Sequence, residues 1–159
     1  ATVLPNLTAP VTSSFSAVLA PRLASMGSKE REREYLVKAS LALIPIILVT
    51  IIWVIFAEPF MAIIFPNYID SVPVFQALTL SMVPFILTAP SVAAIIYAMK
   101  KNIYIGMYSF FQLVIIFLLN YYFIPKYGAL GPTLTYGITN TILAVYTWVI
   151  VIRYYWFEE

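Results

Sequence analysis

Five long runs without a charged residue dominate this sequence, and they cover residues 1–21, 39–57, 71–99, 102–125 and 127–152. A helix that crosses a bilayer needs about 20 mostly apolar residues, within a usual range of roughly 17–25. The runs therefore predict an all-α membrane protein with five transmembrane helices. We place these helices near residues 2–21, 36–57, 73–98, 103–123 and 131–153.

Composition disfavours the rival interpretation, which is a buried helical hairpin in a soluble protein. The chain is 62% hydrophobic and 10% charged, with a mean hydropathy of +0.92. A typical soluble domain is about 25% charged. A small soluble domain also keeps much of its surface in water and could not bury this much apolar area. The lipid bilayer is the expected environment of most of the chain.

Lysine and arginine predict the orientation of the helices. Residues 22–38, 99–102 and the tail after 152 together carry eight of them, whereas the connections 58–70 and 123–131 carry only Lys126. Cytoplasmic connections are enriched in lysine and arginine. We therefore expect a multi-pass protein of the cell (inner or plasma) membrane with a cytoplasmic C-terminus.

The N-terminal end is expected to follow further transmembrane helices. Five spans and a cytoplasmic C-terminus put Ala1 outside, and the first residues lack the basic region and short apolar core of a signal peptide. We therefore interpret the chain as a C-terminal piece of a longer, transporter-like protein.

Residues 120–140 form the predicted hinge between the last two helices. An apolar run is expected to stop at Pro125, to turn through Gly128 and Gly131, and to restart at Pro132. Proline suits the first turn of a helix, and glycine supplies the backbone angles of a tight reversal.

The predicted first helix is the least apolar of the five, and it contains Asn6, Thr12, Ser13 and Ser16. These side chains indicate either a cavity-lining helix or close packing through small residues, and the sequence favours neither. Arg22 follows at its end and could face lipid headgroups or the mouth of a cavity.

Further local patterns carry expectations for the other helices. Pro45 predicts a kink in the second helix. Glu34 and Lys38 predict an ion pair at a solvated helix start, and residues 58–72 are expected to form an interfacial turn. The fourth helix carries a polar stripe that we expect to face protein, not lipid, formed by Gly106, Ser109, Gln112 and Asn120. The fifth carries a stripe of small residues, formed by Thr133, Gly137 and Thr141.

Groups for covalent, acid–base or metal chemistry are scarce. The sequence has no Cys and no His, and its acids and bases lie in connections or at predicted helix ends. The chain is therefore not expected to be an enzyme, and we predict no metal site and no cofactor. Its net charge of +2 is too small and scattered to indicate nucleic-acid binding.

Several stretches in a fixed order carry a resemblance to a known family. They are Leu19–Ser25 before a charged connection, Ala57–Tyr68, Tyr97–Lys101 and Ile124-Pro-Lys-Tyr-Gly-Ala-Leu-Gly131. Together they resemble the C-terminal portion of the polysaccharide exporters, the O-antigen and lipid-linked oligosaccharide branch of the multidrug/oligosaccharidyl-lipid/polysaccharide flippase superfamily. Pro66 departs from the usual glycine of that pattern, which makes Asn67 a candidate for the left-handed conformation.

The resemblance implies a protein of two six-helix lobes, of which this chain would be helices 8–12. It implies translocation of a lipid-linked oligosaccharide in polysaccharide biosynthesis, with the N-terminal lobe of the same protein as a partner. The substrate cavity would be lined here by the first helix alone, with Asn6, Thr12, Ser13, Ser16 and Arg22 as candidate substrate-binding residues.

Two other functions stay open at the level of sequence. A multidrug or cation antiporter of the same superfamily would be expected to carry an acid within the membrane. These spans contain none, although one could lie outside this chain. A non-transporting membrane scaffold subunit would use its polar stripes for partner packing.

Overall fold

The computed structural model describes residue 19 and residues 21–158. All regular secondary structure in these residues is helical. A short helical stretch covers residues 21–25. The α-helices that follow are α1 (Lys29–Leu41), α2 (Ile44–Ile55), α3 (Ala57–Ile64), α4 (Val72–Ala93), α5 (Asn102–Tyr127) and α6 (Leu130–Ile152). A 3₁₀-helix covers Pro66–Ser71, and π-helices cover Ala94–Ala98 and Arg153–Phe157.

Four helical units in the described residues are long and apolar enough to cross a membrane, namely Lys29–Ile55, Pro66–Ala98, Asn102–Tyr127 and Leu130–Phe157. The expectation of an all-α, multi-pass membrane protein is confirmed to this extent. The predicted helix at 2–21 lies outside the described residues except for its last few positions, so the fifth span stays a prediction.

Pro45 breaks the first of these units as expected. The chain makes a turn at Ala42 and Leu43, and α2 restarts with the proline in its first turn. A proline has no N–H to donate to the carbonyl four residues earlier, which here belongs to Leu41. The predicted helix at 36–57 is therefore two shorter helices, and the first of them begins earlier, at Lys29.

The fold centres on α4 and α6, which pack side by side and run in the same direction. Ser81 lies against Thr133, and ten residues later Ser91 lies against Thr147. α2 runs antiparallel to α4, since Val54 meets the start of α4 and Leu43 packs near its middle. α5 connects α4 to α6 and runs antiparallel to both.

The hinge differs in one respect from its prediction. α5 does not stop at Pro125 but continues to Tyr127, because the proline lies in the last turn, where the Gly128 N–H still reaches the Ile124 carbonyl at 2.9 Å. Gly128 takes a φ of +54°, which a side chain would strain. α6 then begins at Leu130, with Pro132 in its first turn.

Gly131 is required by a close approach of backbones. An added Cβ would lie 2.8 Å from the Ile124 nitrogen and 2.9 Å from the Phe123 carbonyl carbon. The end of α5 and the start of α6 therefore pack with no room for a side chain at this point.

Residues 57–71 form the expected short, non-spanning connection, built from α3 and the 3₁₀-helix. Phe65 and Tyr68 are exposed there, as residues at headgroup level would be. The left-handed conformation proposed for Asn67 is wrong, because among the described non-glycine residues only Lys100 has a positive φ. The 3₁₀-helix makes this turn without it.

Two helices leave large apolar faces uncovered. All of α2 is described and none of its residues is buried, and α5 buries only Tyr108. Ile55, Leu113 and Phe117 are among the large side chains exposed on these helices. Monomeric soluble proteins rarely expose apolar patches above a few hundred Å². These faces are suited to lipid or to other transmembrane helices.

Candidate functional site

The predicted substrate-binding residues fall into two groups. Asn6, Thr12, Ser13 and Ser16 lie outside the described residues, so their positions stay predictions. Arg22 is described, and its side chain is exposed on the helical stretch 21–25. The neighbouring Leu23 is buried in a core cluster with Leu36 and Val151, and it fixes this stretch to one end of the bundle.

That end gathers most of the charged residues, and we call it the cation-rich end. It is formed by residues 29–33, 99–101 and 153–158, which meet although they are far apart in sequence. Lys29 and Lys101 both approach Glu158, and Arg33 lies over the Trp156 ring. The connections 57–71 and 128–129 lie at the other ends of the same helices.

α4 and α6 carry buried hydroxyl groups, which we call the hydroxyl seam, and two of them, Ser91 and Thr147, meet between the helices. The seam consists of Thr88, Ser91, Thr139 and Thr147. Ser91 and Thr147 are 0% exposed, and their oxygens are 2.8 Å apart. Each hydroxyl also bonds a carbonyl of its own helix: Ser91 bonds that of Thr88, and Thr147 bonds that of Leu143. The seam is therefore largely satisfied internally, as packing contacts in a membrane require.

Three aromatic side chains extend these contacts across the bundle. The Tyr108 hydroxyl donates to the Thr139 carbonyl at 2.7 Å, and the Tyr146 hydroxyl to the Tyr104 carbonyl at 3.1 Å. The Trp148 indole donates to the Leu87 carbonyl at 2.8 Å. α4, α5 and α6 are thereby joined into one packed unit.

A few polar atoms on α5 and α6 are left without a partner in the described part of the protein. They are Asn120 Oδ1, Thr135 Oγ1 and Asn140 Nδ2. Asn140 is 2% exposed. An unsatisfied buried polar group costs about 1–3 kcal/mol. Within the described residues, these buried side-chain atoms therefore remain free to accept or donate a further hydrogen bond.

The predicted polar stripes are met only in part. On α6, Thr133 is buried and Gly137 lies against Ser81, but Thr141 is exposed. On α5, Gln112 and Asn120 are half-buried, whereas Gly106 and Ser109 are exposed. The expectation that the α5 stripe faces protein is therefore met in part by its second half, and it stays a prediction for Gly106 and Ser109. Ser109 instead donates to the Ile105 carbonyl of its own helix.

One pairing at the cation-rich end was not anticipated. The Tyr155 hydroxyl donates to Glu32 Oε2 at 2.7 Å, and Glu32 is only 9% exposed. The prediction of a solvated helix start holds for the Glu34–Lys38 ion pair but is wrong for Glu32. No local signal could have found this contact, because its partners are 123 residues apart.

The described residues separate their uncharged polar groups from most of their charged ones. Their buried interior contains hydroxyl and amide groups, and the charged groups lie near helix ends. A groove of about 440 Å³ opens beside α3 and α4, with a mostly apolar lining that includes Phe65, Tyr68 and Phe75. Such an arrangement can hold apolar chains and polar headgroups.

Comparisons with known proteins give no further assignment: no family model, no curated protein and no solved structure matches this chain.

Proposed function

We propose that this chain is part of a membrane flippase that translocates lipid-linked oligosaccharide in polysaccharide biosynthesis. The observation that carries the proposal is the hinge Ile124–Gly131, in its order with the other family-like stretches. The geometry of this hinge supports it, because Gly128 and Gly131 are both required by the backbone there. The chain would act with an N-terminal lobe of the same protein.

The uncharged interior of the described spans supports transport of a lipid-linked glycan over ion-coupled drug export. Ion coupling calls for an acid at membrane depth. In the described spans the buried polar groups at that depth are hydroxyls and amides, such as those of Ser91, Thr139 and Asn140. These groups are uncharged, and the hydroxyls of Ser91 and Thr139 already bond carbonyls within the bundle.

The packing of the bundle suits one lobe of a rocking protein. The contacts of α4 with α6, and of α5 with both, tie three spans into a unit that can move as a body. The preceding helix, with Asn6, Thr12, Ser13 and Ser16, would line the cavity between the lobes. Arg22 would meet the pyrophosphate of the substrate at the cavity mouth.

The orientation proposed for this lobe has the cation-rich end in the cytoplasm. The clustering of Lys29, Lys101 and Arg153 at one end supports it, since cytoplasmic ends of spans are rich in such residues. The membrane would be the cell (inner or plasma) membrane.

Complementation tests the proposal. The full-length protein, expressed in a cell that lacks its lipid-linked glycan flippase, is expected to restore surface polysaccharide. Arg22→Ala is expected to lower this restoration about tenfold, as the loss of one charge-assisted contact would. Lys126→Ala, which changes an exposed cation at the opposite end, serves as the matched control and should restore fully.

The other functions are outcomes of the same experiment. A protein that restores only drug efflux would be an antiporter, and a protein that inserts but restores neither activity would be a scaffold subunit. Either result would overturn the proposal.

A further inference from the structure

The cation-rich end brings three basic side chains to one residue, Glu158. Lys29 Nζ donates to the Glu158 main-chain carbonyl at 3.1 Å. Lys101 Nζ lies 3.8 Å from Glu158 Oε2, and Arg153 Nε lies 3.7 Å from Glu158 Oε1. Within the described part of the chain, Glu158 is the acid that these three cations contact.

The carboxylate contacts of Glu158 are long enough for another anion to replace the carboxylate. Hydrogen bonds between charged nitrogen and oxygen are usually about 2.7–2.9 Å long, which is well below the 3.7 and 3.8 Å of the two carboxylate contacts. Exposed ion pairs of this kind contribute about 0–1 kcal/mol. An anion with more oxygens than a carboxylate would satisfy the three cations better.

The backbone holds these cations in place at some cost. Lys100 takes a φ of +54°, which is unfavourable for a residue with a side chain, and it places Lys101 beside the end of α6. The π-helices Ala94–Ala98 and Arg153–Phe157 both end at this point, and such segments are frequent at functional sites. Lys29 and Lys101 also share one aromatic ring, with their Nζ atoms 4.4 and 5.1 Å from the Tyr154 centroid.

The surroundings indicate a lipid rather than a soluble anion. Trp156 and Phe157 are exposed beside the cations, and Phe157 is 78% exposed. Aromatic side chains at the end of a transmembrane helix lie at the level of the headgroups. A phosphate held here would therefore lie at headgroup level, next to apolar rings that can contact acyl chains.

We propose that Lys29, Lys101 and Arg153 form a binding site for the phosphate of an anionic phospholipid headgroup, and that the Glu158 carboxylate occupies this site when the lipid is absent. The site requires only that the chain spans a membrane, and it is independent of the transported substrate. Glu158 acts as an internal competitor that sets the affinity for the lipid.

Lipid-dependent stability tests the site. The full-length protein in a neutral detergent is titrated with phosphatidylglycerol or with phosphatidylcholine, and the half-saturating lipid concentration is read from the rise in Tm. Phosphatidylglycerol is expected to bind more tightly. Lys29→Gln and Lys101→Gln should each weaken it about fivefold, because a basic residue near an anionic membrane surface contributes about 1 kcal/mol. Glu158→Gln should tighten it by a similar factor.

The control is Lys126→Gln at the opposite end, whose lysine likewise lies over a tyrosine ring, that of Tyr122. It should leave the half-saturating concentration unchanged, and an equal loss there would overturn the site in favour of general charge attraction. Inorganic phosphate alone should not raise Tm, and if it does so as well as the lipid, the site takes a free anion instead. An unchanged affinity in Glu158→Gln would overturn the role of the carboxylate. Because that variant gains affinity, its result does not depend on a damaged fold.

Discussion

Gly131 is a residue at which the fold tolerates little change, because backbone atoms surround it. Replacing it with alanine puts a Cβ within 2.9 Å of backbone atoms of Ile124 and Phe123, and neither helix can move a backbone atom as it would a flexible side chain. Overpacking of this kind costs about 1–3 kcal/mol. We therefore expect Gly131→Ala to lower the Tm of the purified protein by several degrees.

Gly106→Ala is the matched control for this prediction. An added Cβ at Gly106 has no atom within 4 Å, and the residue lies inside α5 with an ordinary helical φ. Alanine is favoured over glycine within a helix by about 1 kcal/mol. The control should leave the Tm unchanged or raise it, and a Gly131→Ala protein as stable as the control would disprove the close approach.

The roles of some single residues could be predicted from the sequence, and those of others could not. The roles of Gly128 and Pro45 are local, because each is set by the backbone angles or the missing N–H of the residue itself, and both were predicted. Burial of Glu32 depends on Tyr155, which folding brings from the other end of the chain. Among the predicted substrate-binding residues only Arg22 is described, and its exposure alone does not distinguish the cavity from the headgroups.

At the scale of elements, the pair of α4 and α6 is stabilised across the membrane by the hydroxyl seam. The Ser91–Thr147 contact can be measured by a double-mutant cycle with Ser91→Ala and Thr147→Val. Interhelical hydrogen bonds in membranes contribute about 0.6 kcal/mol on average, with a maximum near 1.7. Because each hydroxyl also bonds its own helix, we expect a coupling near the average, measured as the free energy of unfolding in mixed micelles.

The cycle of Ser109→Ala with Thr147→Val gives the control. Ser109 is exposed and bonds only within α5, so this pair should be additive within about 0.3–0.5 kcal/mol. A Ser91–Thr147 coupling no larger than that of the control would show that the seam fills space without linking the helices.

The existence of the long helices could be predicted, but their faces and ends could not. A charge-free apolar run of about 20 residues indicates a transmembrane helix, however that helix packs against others. Which side of α5 is covered depends on where α6 and the rest of the protein lie, so the exposure of Ser109 could not be read from its spacing to Asn120. The end of α5 at Tyr127 likewise depends on a last turn that tolerates Pro125.

The described part of the molecule is polarised, with most of its cations at one end and the connections 57–71 and 128–129 at the other. Between Arg31 and Lys100 the chain forms two membrane-length helical units, Lys29–Ile55 and Pro66–Ala98, so both residues return to the same end. Tyr68 lies near the start of the second unit and is therefore at the opposite end. We therefore expect the two ends of the bundle to lie on opposite sides of the membrane, whichever substrate the protein has.

Cysteine labelling checks this expectation directly, because this chain contains no Cys and each variant then carries a single thiol within it. In intact cells, a membrane-impermeant maleimide is expected to label Tyr68→Cys and not Arg31→Cys or Lys100→Cys. All three positions are exposed in the structure, so accessibility within the protein does not limit the reaction. After permeabilisation, Arg31→Cys and Lys100→Cys should label as well. Labelling of Arg31→Cys and Lys100→Cys from opposite sides would mean that one of the two units does not cross the bilayer, and the arrangement of spans proposed for the lobe would be wrong.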